Sequence, residues 1–241
     1  MIVAGVDEAG RGSVLGPLVV AAVSLREESL SRLRKIGVKD SKLLSPARRN
    51  KLFREIKNIS NSVSYEKIYP SSIDRVVLSG EKLHRLNYLE AQAMAKLLSK
   101  ISFDRAFVDC CDTNQQRFGF EISHSVASRL GNSFTLGERN PFFDKITSEH
   151  HADRNYVVVS AASIVAKVTR DATIARLSKV HGNIGSGYPS DSDTMSYLKA
   201  CFERSRTFPD FVRHSWLTIR RMKGTESRII ALSHSERIPK S

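Results

Sequence analysis

Apolar positions are spaced along this chain in two ways, dense short runs and helical stripes, and each spacing predicts a different element. "MIVAGV" reads as a buried strand that runs into Asp7, and residues 16–25, GPLVVAAVSL, as a second strand after a glycine turn, which suits a hairpin. Helical spacing takes over at 46–59. There Ser45 and Pro46 supply a cap and a fixed first φ, and Leu52, Phe53, Ile56 and Ile59 mark one face. Residues 62–69 have mixed polarity and read as an edge strand, ended by Pro70 and two serines able to cap a further helical turn. Leu86, Leu89, Ala93, Leu97 and Ile101 form a stripe that predicts a helix over 86–101. "RAFVDCC", residues 105–111, reads as a central strand covered on both faces, with Asp109 at its far end.

Further on, residues 155–180 read as mostly helical, although "VVV" keeps a strand reading open at the start. Glycines and a proline make 181–191 a loop. Residues 192–204 and 208–223 then read as helices of a compact carboxy-terminal cap, and from Gly224 the chain is polar and charged, with the composition of a mobile tail. Strands early and helices late predict an α/β protein: a mixed sheet flanked by helices, with an added helical subdomain.

The chain has 241 residues, enough for one large domain and a sizeable core. Its 38 Lys and Arg against 25 Asp and Glu, a formal +13, suit a polyanionic partner, nucleic acid first and an anionic membrane surface second. No apolar run approaches the roughly 18 to 20 residues of a membrane span, and the start lacks a secretory pattern, so a cytoplasmic location is expected. Cys110, Cys111 and Cys201 offer neither a disulfide framework nor paired metal spacing.

Against that basic background the acids stand out. Asp7 and Glu8 end the first strand, Asp109 ends the central one, and Asp153 ends "ITSEHHAD". Ligands of open α/β sheets gather outside strand ends, so these carboxylates can converge there. Hard oxygen donors suit Mg²⁺ or Mn²⁺, and two such ions can activate a water and stabilise a leaving oxygen in phosphodiester cleavage. In a regular strand Asp7 and Glu8 point to opposite faces, so serving one site requires the strand to end or twist between them. Asp112 and Asp171 read as turn or cap residues, and His150 and His151 as solvated or phosphate-facing side chains. Gly10, Gly12 and Gly16 mimic a nucleotide-binding fingerprint, but a strand rather than a helix follows them. Tyr188, set among glycines, is either an ordinary loop aromatic or a platform for a sugar or base.

Taken in order, "GVDEAGRGSVLGPLVVAAV", "KDSKLLSPARR", "LNYLEA", "FVDCCDTNQQRFG", "HADRNYVVVSAASIVAKVTRD" and "GSGYPSD" resemble the motifs of the type 2 ribonucleases H, and of archaeal ribonuclease HII in particular. The likeness covers nearly the whole chain. It implies a ribonuclease H-like fold with a mixed five-stranded sheet, a catalytic domain over 1–185 and a carboxy-terminal helical cap over 186–241. It also implies cleavage of the RNA strand of RNA/DNA hybrids and nicking 5′ of ribonucleotides embedded in duplex DNA, with 3′-hydroxyl and 5′-phosphate ends.

Residue by residue, the resemblance implies that Asp7, Glu8, Asp109 and Asp153 are the catalytic, metal-holding acids, with Mg²⁺ or Mn²⁺ as cofactor. Gly10, Arg11 and Gly12 match the turn that senses the ribose 2′-hydroxyl, and Tyr188 the tyrosine that packs on the sugar. Lys42, Asn87, Ser160, Ser163 and Lys167 match further substrate contacts. Two positions depart from the family: His151 stands where lysine is frequent, and Val157 replaces a common proline. The segment 135–146 fits the pattern poorly. A monomer is expected, and the tail carries no clear sliding-clamp motif. The competing readings are a non-catalytic binder of hybrid duplexes and a metal-dependent exonuclease of related fold.

Overall fold

The computed structural model describes residues 1–79, 85–132 and 140–224. Residues 80–84, the segment 133–139, which overlaps the start of the poorly fitting stretch 135–146, and the tail from 225 onward lie outside them. Among the described residues a five-stranded sheet has the order β3-β2-β1-β4-β5. β1 (Ile2–Ala9) and β2 (Leu18–Arg26) form the expected antiparallel hairpin, and β3 (Ser62–Ile68) continues it as an antiparallel edge. β4 (Arg105–Asp109) runs parallel to β1, and the short β5 (Ile146–Glu149) runs parallel to β4. The sheet is therefore mixed, and its middle strands are buried on both faces.

Alternation along β1 divides the core. Ala4 and Val6 face one layer with Met94 and Leu98 of α4 (Arg85–Leu98) and Phe118 and Ile122 of α5 (Gln115–Arg129). Val3 and Ala9 face the other layer, with Leu52 and Ile56 of α2 (Pro46–Ile59) and Ile164 and Val165 of the long α7 (Val157–His181). Gly5 sets how closely α7 approaches: a Cβ there would lie 2.4 Å from the Val158 carbonyl carbon and oxygen. Only a residue without a side chain lets that helix seat on the central strand.

Three elements go beyond the periodicity. α1 (Leu30–Lys35) is a short helix between β2 and α2, and α3 (Pro70–Leu78) is a full helix rather than a single turn, started by proline at its first position. α5 escapes the pattern because its buried face includes Gly119, Ser123 and Ser125 beside the apolar residues.

The carboxy-terminal region corrects one expectation. α8 (Ser192–Ser205) is the expected helix, but 208–216 is not helical, and the last helix covers 217–224. Asp74 accepts the backbone N–H of His214 at 2.9 Å and of Ser215 at 2.8 Å, and Val212 bridges to Leu15, so these groups are unavailable to a helix. A third apolar cluster joins Leu198, Phe208, Val212 and Ile219 to Val14, Leu15 and Ile174. Thus the carboxy-terminal segment packs directly behind the glycine turn. Among the described residues no helix is long and apolar enough to cross a membrane.

Candidate active site

The parallel ladder between β1 and β4 stops at Val6 and Val108, and the next residues are Asp7 and Asp109. Two carboxylates therefore stand side by side toward the carboxyl ends of the central strands, just past the point where β1 and β4 stop pairing with each other. β1 runs on through Glu8 to Ala9, so the strand does not end between the adjacent acids as expected. Their side chains do leave on opposite faces: Asp7 toward Ser163 of α7, and Glu8 toward Glu90 of α4. At a strand end both can still reach forward, and ligand atoms of Asp7, Glu8 and Asp109 all lie within 4.8 Å of one another.

Asp153 differs from expectation in its element. It lies on a one-turn helix, α6 (Ala152–Asn155), rather than at the end of a strand. His151 turns the chain there with φ of 58°, a left-handed conformation that bends the path after β5 into the helix. Asp109 accepts the N–H of Ala152 at 2.7 Å, which ties that turn to β4. Ser160 is buried and donates its hydroxyl to the Asp153 carbonyl. Asp153 faces the same cavity as the other acids but stands outside their tight trio.

Electrostatics within this cluster are unfavourable without a cation. Burial first, and then Asp109, push the Asp7 carboxyl well above the usual carboxylate range. Glu8 is likewise raised, by burial, Asp7 and Glu90. Asp109 is raised by burial and Asp153, against the opposing pull of the Ala152 N–H, His151 and Lys42. One oxygen of Glu8, Oε2, is buried with no hydrogen-bond partner among the described residues. A buried, unpartnered carboxylate oxygen within a ring of hard donors fits a divalent cation of the Mg²⁺ or Mn²⁺ type.

The acids open into a cavity of about 440 Å³ that also takes in Gly10, Arg11, Gly12, Ser41, Lys42, Ser163, Lys167 and Tyr188. Most of the residues singled out in the sequence thus meet in one place. Gly10 has φ of 87°, and a Cβ there would crowd Arg170 Nε at 3.2 Å. At Gly12 none of the described residues comes within 4 Å of an added Cβ. The ring of Tyr188 lies under two cations, Arg170 at 4.4 Å and Lys167 at 5.5 Å from its centroid. Ser41 and Ser163 share a hydrogen bond of 2.9 Å, which joins the Lys42 loop to α7.

Asn87 is placed otherwise. It is buried, accepts from Arg11 at 2.5 Å and donates to Asp112 at 2.8 Å, so its amide is engaged within the protein. Sequence reasoning missed Glu90 and the buried arginines Arg170 and Arg213. Arg170 donates to Ser13 Oγ at 2.8 Å, and Arg213 to the Arg11 carbonyl at 2.8 Å, bracing the glycine turn from behind. A signal for Glu90 existed: an acid between Leu89 and Ala93, within a stripe that otherwise faces the core.

A mixed five-stranded sheet with acids clustered at the ends of its central strands defines a hydrolase of the ribonuclease H type. The family model described as ribonuclease HII matches residues 4–219, and the chain belongs to that family. It is 40% identical over 225 residues to the ribonuclease HII of Thermococcus sibiricus, covering 92% of each chain. The crystal structure of ribonuclease H2 from Pyrococcus horikoshii is similar at 38% identity with a TM-score of 0.79, covering 95% of this chain and all of that one. A PCNA and ribonuclease HII complex from Archaeoglobus fulgidus contains a chain at 36% identity and a TM-score of 0.75, with 90% of this chain and 95% of that chain covered. The protein is a type 2 ribonuclease H, an endonuclease acting on RNA/DNA hybrids, in a metal-dependent family.

Proposed function

We propose that Asp7, Glu8, Asp109 and Asp153 hold Mg²⁺ or Mn²⁺ and hydrolyse the phosphodiester 5′ of a ribonucleotide, whether in a hybrid or embedded singly in duplex DNA. The observation that carries this reading is the trio Asp7, Glu8 and Asp109, with ligand atoms within 4.8 Å and ionised forms disfavoured by burial and mutual repulsion. Bound there, divalent cations supply an activated water and charge stabilisation for the leaving oxygen, giving 3′-hydroxyl and 5′-phosphate ends. The chain's own residues do the rest. Gly10, Arg11 and Gly12 bring backbone close to the ribose 2′-hydroxyl, the group that separates RNA from DNA. Tyr188 packs on the sugar, while Lys42 and Lys167 hold phosphates. Asn87, Ser160 and Ser163 contribute from beneath, by fixing Arg11, the Asp153 turn and Asp7.

A nicking assay tests this directly, using duplexes with one ribonucleotide, a long hybrid and plain DNA, each with Mg²⁺ and with Mn²⁺. Cleavage of the first two and not the third supports the reading. Binding without cleavage would favour a passive hybrid binder, and degradation of plain DNA from its ends a related exonuclease. The division into 1–185 and 186–241, a monomeric state and a cytoplasmic location belong to the same reading. Likeness to a relative solved with PCNA supports a sliding clamp as a further partner, to be tested by clamp binding of the full chain and of a chain ending at 224.

A further inference from the structure

Arg11, the charged residue of the glycine turn, does not extend its guanidinium freely into the cavity. Nη1 donates to Glu90 Oε2, and Nη2 donates to Asn87 Oδ1 at 2.5 Å. Asn87 and Glu90 sit three residues apart in α4, on one face of the helix, so a single helical turn grips both arms of the fork. Glu90 is fully buried, whereas the Arg11 side chain is 34% exposed. Burying a carboxylate is costly unless it is paired, and Arg11 is its ion-pair partner. Cys111 Sγ donates to the same Oε2 at 3.2 Å, while Glu90 Oε1 has no hydrogen-bond partner among the described residues. A stability-driven core would not select this arrangement, since an apolar residue of similar volume avoids the desolvation altogether.

We infer that Glu90 is a positioning residue for ribose recognition: it anchors Arg11 and so fixes the backbone of Gly10 to Gly12 at the cavity wall. The inference rests on the proposed role of that turn. The Arg11 side chain supplies one tether of the turn, and its carbonyl, accepting from Arg213 at 2.8 Å, supplies the other. With Arg11 held through both side chain and carbonyl, the N–H groups of the turn are preorganised for a ligand hydroxyl rather than ordered by it. Arg11 and Asn87, matched to substrate contacts by resemblance, then act largely through this tether.

The test is steady-state nicking of a duplex carrying one ribonucleotide, at saturating metal, alongside duplex binding in the absence of hydrolysis. Glu90→Gln keeps the volume and removes the charge. Its kcat is expected to fall about tenfold or more, as displacement of a positioning group does, with duplex affinity unchanged within twofold. In an Arg11→Met background the same Glu90 change should then add little, because the tether is already gone. An undiminished Glu90 effect in that background, or wild-type kcat in Glu90→Gln, overturns the inference. Arg11→Lys serves as a second variant should Glu90→Gln fold poorly: it keeps a charge beside Glu90 but cannot fork onto Asn87, and wild-type kcat there also overturns it. Failure of the functional reading is distinguishable, because the wild-type protein itself would then not cut the ribonucleotide.

Discussion

Arg170 lies over the ring of Tyr188, its guanidinium carbon 4.4 Å from the ring centroid, and the same guanidinium donates to Ser13 Oγ and to the Ser186 carbonyl. One buried cation therefore joins the face of the tyrosine to the glycine turn. The ring also lines the cavity that holds the acids, where a sugar can reach it. Tyr188→Ala should lower cleavage of a single embedded ribonucleotide about tenfold, on the scale of one lost stacking contact, with little change in Tm. Tyr188→Phe keeps the platform and should stay close to wild type. Parallel kinetics and thermal melts check both, and equal losses in the two variants would point to the hydroxyl instead.

Asp7 and Asp109 follow the last paired residues of the parallel β1–β4 ladder and share one ligand cluster, so Asp7→Asn and Asp109→Asn should each abolish nicking to below about one per cent. Salt-dependent duplex binding should persist, since the cations that grip phosphates are untouched. Gel-shift titration against salt, run beside the nicking assay, separates the two effects. Near-normal cutting by either variant would mean that the ligand set is wrong.

What the sequence showed and hid follows from the range of the forces involved. β1, β2 and α2 were legible because periodicity and capping are local, and the Asp7, Glu8 and Asp109 cluster because these acids directly follow apolar runs. The non-helical stretch before 217 was not legible: its apolar spacing is helical, but Asp74, 140 positions from His214, claims the backbone N–H groups. Glu90 stayed hidden for the same reason, since its partner Arg11 lies 79 positions away. Asp153 was assigned through family resemblance, and the local pattern did not reveal the one-turn helix that carries it.

Gly5 faces the carbonyl of Val158 so closely that an added Cβ would fall 2.4 Å from it. The neighbour is helix backbone and cannot move aside alone. Gly5→Ala should therefore destabilise the fold by about 3 kcal/mol, at the upper end of overpacking costs, and lower activity only through loss of folded protein. Chemical denaturation measures it, and a change below about 1 kcal/mol would mean that α7 shifts more easily than its packing implies.

The raised acids make a signed prediction about pH. Asp7 is pushed up by burial and by Asp109, so the folded chain holds its proton to higher pH than the unfolded chain does. Between the unfolded value of about 4 and the raised folded value, the native state binds more protons. Metal-free stability from this group therefore falls as pH rises through that window. Asp7→Asn removes the effect, so without metal the variant should gain in Tm relative to wild type as pH goes from about 4 toward neutrality and beyond. Saturating Mg²⁺ or Mn²⁺ should raise wild-type Tm most at the high end, because bound cation replaces the missing protons. A Tm difference independent of pH would count against the burial argument.

Gly10 and Gly12 separate the structural from the functional demand on the turn. At Gly10 φ is 87° and an added Cβ would meet the Pro17 carbonyl at 3.1 Å, so Gly10→Ala is strained whatever binds. Gly12 is free of both constraints, with no left-handed φ and nothing within 4 Å. Nothing among the described residues requires a glycine there. If the open space is where the ribose approaches, Gly12→Ala should keep the wild-type Tm and lose cleavage of a single embedded ribonucleotide about tenfold or more, since a misplaced reacting group costs up to about a hundredfold. Gly10→Ala should lose both Tm and activity. Matched melts and single-turnover rates on the two variants decide it, and full activity in Gly12→Ala would move the site of 2′-hydroxyl recognition away from this wall of the cavity.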